Sequence, residues 1–170
     1  MCSSDLNPSF TAVYNGLVNG DQIGNINLNG TISFSTLANT SSAVGDYDIT
    51  VASSTLTSPN YEFELGKGML SITKAQLSVR ADNKSRIYGQ ANPASTYTIS
   101  GYLNNDGASV VSGTPVLNAD AGAATAAGEY PITVDAGSLT ATNYTFIVVP
   151  GQLTIGKATL TVKAADKIRI

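Results

Sequence analysis

The chain has 170 residues, a formal net charge of -3, 42% hydrophobic and 12% charged residues, no histidine and a single cysteine. That balance describes a globular chain rather than a disordered one, and a mildly acidic chain offers no basic face to a phosphate backbone, so nucleic acid is not an expected partner. Lacking histidine, and with Cys2 alone, it has no internal disulfide and no side chain that ordinarily titrates near neutral pH for acid–base catalysis.

Residues 45–79 lie over residues 128–162 at a constant offset of 83, with 17 identities in 35 positions. A unit of this length is a small domain, longer than the roughly 20–50 residues of a solenoid repeat. In chain order, Cys2-Ser3-Ser4-Asp5-Leu6 reads like the translation of a sequencing adapter, so residues 1–6 are assigned to an artefact or a disordered start. Residues 1–20 also lack the basic start and apolar run of a signal peptide. Residues 7–74 read as a module without its first strand, because Asn7-Pro8 aligns with Asn92-Pro93. A short helical turn is expected after Asp21, and Leu70-Ser71-Ile72 alternates as a half-buried strand does.

The dipeptide Lys74-Ala75 marks a junction, and residues 75–157 read as one complete module. It opens on the strand Gln76-Leu77-Ser78-Val79-Arg80-Ala81, passes one or two helical turns within residues 104–111 begun by Asp106, and returns to strands at residues 130–134 and 153–155. Lys157-Ala158 repeats the junction. Residues 158–170 then read as the first strand of a third module, with Thr159-Leu160-Thr161-Val162-Lys163-Ala164 echoing residues 76–81, and Lys167, Arg169 and Ile170 echoing Lys84, Arg86 and Ile87. This orphan strand is expected either to stay loose or to dock on an open strand edge. The longest apolar run, residues 146–149, is too short to span a membrane. Junctions of two or three residues predict an extended, semi-rigid rod of mostly β modules. The repeated apolar positions predict the core: Tyr47, Ile49, Tyr61, Phe63, Leu70 and Ile72, with Tyr130, Ile132, Tyr144, Phe146, Leu153 and Ile155.

No catalytic, cofactor or metal residues are assigned. Asp46 and Asp48 alternate on one strand face as a carboxylate pair would, but their counterparts are Glu129 and Pro131, so a solvated face is the expected reading rather than glycosidase chemistry. Asp21 and Asp106 recur without the acidic spacing of a calcium loop, which favours a turn or a helix cap. Asn60-Tyr61 and Asn143-Tyr144 read as turn and core anchor, and Tyr88-Gly89 as a strand end packed beside a tight turn, with sugar stacking the alternative. Arg80, Lys84 and Arg86, echoed by Lys163, Lys167 and Arg169, are expected to be solvated and to protect an edge rather than bind an anionic polymer. A Lys isopeptide crosslink would need a buried Lys beside an acidic group.

The ordered series Leu77-Ser78-Val79-Arg80-Ala81, Lys84, Ile87-Tyr88-Gly89, Ala91-Asn92-Pro93, Tyr97-Thr98-Ile99-Ser100-Gly101, Ser112-Gly113-Thr114-Pro115, Gly128-Glu129-Tyr130-Pro131-Ile132 and Asn143-Tyr144-Thr145-Phe146 resembles the MBG/YDG-type repeat. The resemblance covers one full copy and most of another. It implies tandem β-grasp-like modules, each a small mixed sheet with at most one short helix, in large bacterial surface and adhesin-like proteins, with an extracellular location and no catalytic residues to carry over. In the first copy Asp48 stands where the second has Pro131. The function expected is a non-enzymatic stalk or spacer whose partners are neighbouring repeat modules. The alternatives are a module that binds carbohydrate or a host protein through exposed Tyr, and an accessory domain of a large secreted enzyme. A binder should present clustered exposed Tyr, whereas a spacer should bury the repeated ones.

Overall fold

A computed structural model describes residues 7–169, so the assignment of residues 1–6, Cys2 included, lies outside the described residues. The chain divides into two compact units, Met1–Lys74 and Ala75–Ile170. Both are built from strands.

The first unit holds an antiparallel sheet of β1 (Ile32–Thr36), β2 (Gly45–Ser54) and β3 (Gly68–Ile72), in the order β1-β2-β3. Along β1, Ile32, Phe34 and Thr36 turn inward while Ser33 and Ser35 face solvent, the period-two pattern of a sheet with one covered face. The register shifts between Ser33 and Phe34, as a β-bulge does.

The second unit holds β4 (Ala75–Ala81), β5 (Lys84–Ile87), β6 (Tyr97–Ser100), β7 (Val116–Ala119), β8 (Gly128–Asp135), β9 (Tyr144–Val149) and β10 (Gly151–Gly156). They form two sheets, β5-β10-β8-β7 and β6-β4-β9. Both are mixed: β10 runs parallel to β5 and antiparallel to β8, and β4 runs parallel to β9 and antiparallel to β6. As the central strand of its sheet, β4 has ladders on both sides, and Leu77, Val79 and Ala81 on its inner face are 0% exposed. Ala81, Ala121, Ile132, Leu153 and Ile155 form the buried cluster, with Leu117, Tyr130 and Val134 packed against it.

The repeat places β1, β2 and β3 as the counterparts of β7, β8 and β10. The correspondence stops where β4 matters. Residues 61–66 align with β9 and residues 12–15 with β6, yet neither segment is a strand in the first unit. A strand is a ladder of inter-strand hydrogen bonds, and the element that bonds β6 and β9 in the second unit has no counterpart among the described residues of the first. The expected helix is likewise reduced in both units to a single 3₁₀ turn, Ile23–Asn25 and Ala108–Val110. Asp106 does not cap that turn; Gly107 does, without a side-chain bond.

Residues 157–169 lie outside any strand, with Leu160 87% and Val162 90% exposed. Of the two expectations for this segment, docked or loose, the structure shows the loose one.

Candidate functional site

The residues that repeat most faithfully are tied to one another. In the first unit the Tyr61 hydroxyl donates to Asp21 Oδ2 at 2.6 Å, and the backbone N–H of Val18 donates to the Tyr61 oxygen at 3.3 Å. In the second, Tyr144 donates to Asp106 Oδ2 at 2.7 Å and accepts from the N–H of Leu103 at 3.1 Å. Each Asp closes a turn onto the same carbonyl, Asp21 N–H to Val18 O at 2.9 Å and Asp106 N–H to Leu103 O at 2.8 Å. Both turns need two successive residues with positive φ, supplied by Asn19 (56°) and Gly20 (76°) and by Asn104 (53°) and Asn105 (61°). Asn is one of the few residues that tolerates this region at small cost, which explains its recurrence. The acidic side chains act as tyrosine acceptors at a turn. The bond to Asp21 raises the Tyr61 pKa, and burial, helped by the bond to Asp106, raises that of Tyr144.

A second tie corrects the reading of the basic set. Arg86 is 6% exposed, not solvated. Its Nε donates to Asn92 Oδ1 at 2.7 Å, its Nη2 to Gly122 O at 2.5 Å and its Nη1 to Ile87 O at 3.4 Å, while Asn92 Nδ2 donates to Ala121 O at 2.5 Å. The guanidinium fork thus pins two loops to the end of β5, and its planarity suits that task. The first unit keeps half of this latch: Asn7 Nδ2 donates to Ala38 O at 2.7 Å, and Ala38, like Ala121, is buried. The signal in the sequence was the repeat of Asn-Pro, which served there only to align the copies.

The remaining candidates separate. Asp48 pairs with Lys67 at 2.7 Å and Asp46 accepts from Ser71 Oγ at 2.6 Å, so the two carboxylates are engaged apart, on an exposed face. The pairing raises the Lys67 pKa, chiefly through the hydrogen bond. Among the described residues no Lys is buried, which removes the setting an isopeptide bond needs, and no three His, Cys, Asp or Glu side chains gather as metal ligands would. Among the described residues no helix is long and apolar enough to cross a membrane.

Of the predicted core, Ile132, Tyr144, Leu153 and Ile155 are buried, and Tyr130 and Phe146 are half-buried. Their first-unit counterparts Tyr47, Ile49, Tyr61, Phe63, Leu70 and Ile72 are all only half-buried. Leu77, Val79, Ala81, Ala121 and Leu139 are also buried in the second unit and were absent from the predicted set. Tyr88 and Tyr97 are 47% and 38% exposed; the turn predicted beside Tyr88 is present, with Gln90 N–H bonded to Ile87 O, but the ring is not packed.

A concave feature lies in the first unit. A groove of about 930 Å³ runs between residues 9–17 and 61–68, with Phe34, Ile49 and Val51 of β1 and β2 forming apolar floor. These three residues are the counterparts of Leu117, Ile132 and Val134, which in the second unit belong to the core that Ala81 of β4 joins.

A family model described as the MBG domain (YGX type) matches residues 1–71 and again residues 77–154. No curated protein and no solved structure matches the chain.

Proposed function

The chain belongs to the MBG domain family of YGX type, in two tandem copies, and from that premise we propose that it is a non-enzymatic spacer segment of a bacterial cell-surface, adhesin-like protein, located outside the cell. The observation that carries this reading is what the repeated residues do. Tyr61 and Tyr144 hold Asp21 and Asp106, and Asn7 and Asn92 hold the Ala38 and Ala121 carbonyls, so repetition follows scaffold bonds rather than a shared cleft. A residue kept for a ligand would instead be presented to solvent in both copies. The mixed pairing around β4 supports the β-grasp-like description of the module.

The second reading, a binder of carbohydrate or host protein, has one observation in its favour: the exposed rings of Tyr88 and Tyr97. The position aligned with Tyr97 in the first unit is Ala12, so the ring is not a property of the repeat. Glycan arrays and extracellular-matrix proteins probed with the whole chain test the choice. A spacer gives no saturable binding, whereas saturable binding lost in Tyr88→Ala/Tyr97→Ala would overturn the spacer.

A further inference from the structure

We propose that Asn19-Gly20, at the tip of the turn that presents Asp21 to Tyr61, is a site of spontaneous deamidation, and that the matching turn of the second unit resists it. The chain holds three Asn-Gly dipeptides, Asn15-Gly16, Asn19-Gly20 and Asn29-Gly30, all in the first unit. The aligned pairs of the second unit are Ser100-Gly101, Asn104-Asn105 and Ser112-Gly113, so each lacks either the amide or the glycine.

Glycine matters because the reaction runs through its nitrogen. The backbone nitrogen of Gly20, deprotonated by hydroxide, attacks the side-chain carbonyl carbon of Asn19. The bond from that carbon to the amide nitrogen breaks, ammonia leaves, and a five-membered succinimide remains. Water then opens the ring at either carbonyl to give aspartate or isoaspartate, so one water is taken up and one ammonia released. With no Cβ on residue 20 the attack is unobstructed and the backbone can swing into it, whereas Asn105 carries a side chain beside the same nitrogen.

The fold adds a second selection. Asn19 and Gly20 are both exposed, and nothing lies within 4 Å of where a side chain on Gly20 would start. The backbone bond that closes the turn is donated by the Asp21 N–H, which leaves the Gly20 nitrogen outside it. Asn29-Gly30 has the same sequence in the opposite setting. Asn29 exchanges backbone bonds with Thr57 at 3.0 Å and 2.9 Å, its Nδ2 donates to Asn27 O at 3.1 Å, and a methyl on Gly30 would run into the Thr55 carbonyl. Asn29 cannot bring its side chain onto the Gly30 nitrogen without opening that bridge.

The turn also gives the reaction a consequence. Asn19 takes φ 56° and Gly20 φ 76°, and this left-handed pair brings Asp21 to Tyr61 at 2.6 Å. Isoaspartate routes the main chain through the former side chain and lengthens a two-residue tip, so the turn no longer closes and the Tyr61–Asp21 bond is lost. Deamidation therefore loosens the first unit with time and leaves the second intact.

Site-resolved peptide mapping by mass spectrometry, on the whole chain held folded at mildly alkaline pH, tests the proposal. Gly20→Asn and Asn105→Gly exchange the two turns, and each installs the residue that the other unit already carries at positive φ. Residue 19 should gain about 1 Da as ammonia is released, and should do so roughly tenfold or more faster than residues 104 and 29. Gly20→Asn should slow residue 19 to the rate of residue 104, and Asn105→Gly should raise residue 104 to that of residue 19. Urea should bring residue 29 up to the rate of residue 19. In the aged chain the Asp21 amide should exchange with solvent faster than in the fresh chain, while that of Asp106 is unchanged. An amide at residue 19 that lasts as long as that at residue 104, or rates that do not follow the glycine in the two variants, overturns the proposal. So do equal rates at residues 19 and 29 in the folded chain.

Discussion

The Tyr144 hydroxyl donates to Asp106 across 2.7 Å, and the same pair recurs as Tyr61 and Asp21 at 2.6 Å. In each unit this bond joins the segment aligned with β9 to a turn some 40 residues earlier in sequence. Tyr144 is 3% exposed and also packs edge-on against Tyr102, with ring centroids 6.3 Å apart. Tyr144→Phe keeps the ring and removes the donor, leaving Asp106 and the Leu103 N–H each short of a partner. It should destabilise the second unit by about 1–2 kcal/mol in urea unfolding followed by circular dichroism.

The same tyrosines give the chain an alkaline limit. Their folded pKa values are raised above the ordinary 10.0, so their contribution to stability is complete below pH 10 and is lost as pH rises through the folded values. Unfolding free energy should be level through neutral pH and fall above about pH 10, with a shallower fall in Tyr144→Phe. Asp82 sets the opposite arm. Bonds from Thr96 and Thr98 hold its pKa below the ordinary 3.8, so its contribution is present above that value and lost as pH falls through the folded one. Asp82→Asn should flatten the acid arm alone.

Arg86 should be the most sensitive charged residue in the second unit. Arg86→Met fills much of the same volume but leaves Asn92 Oδ1 and the Gly122 carbonyl without their donor. A loss of about 2–4 kcal/mol is expected. Arg86→Lys keeps the charge without the fork and should recover less than half of it, again read by urea unfolding.

Gly151 and Gly68 occupy equivalent positions with unequal surroundings. Gly151→Ala drives a methyl against the Ala81 carbonyl and should cost about 1–3 kcal/mol, whereas Gly68→Ala should leave the thermal transition of the dilute chain unchanged.

The alternation of β4, β8 and β10 was legible in the sequence, because period-two patterning reports a sheet with one covered face, whereas Leu77, Val79, Ala81 and Ala121 of the second core were not picked out by the repeat. That residues 12–15 and 61–66 of the first unit form no strand was not legible. Residues 61–66 share Tyr61 and Phe63 with β9, but Glu62, Glu64 and Gly66 stand where β9 has Thr145, Ile147 and Val149, a composition less suited to a pleated strand, and a strand also needs a partner, which lies elsewhere in the chain. Arg86 was misread for a related reason: a basic residue in an alternating run looks solvated until the acceptors at Asn92 and Gly122, contributed by other loops, are placed around it. Asp106 was read as a turn or cap residue; the turn is there, and its carboxylate is committed to Tyr144, more than 30 positions away.

Hydrogen exchange at the backbone amides of residues 61–66 tests most directly whether a module is complete only with a β4-type strand in place. These amides should exchange far faster than those of β9. Protection equal to that of β9 would contradict the account.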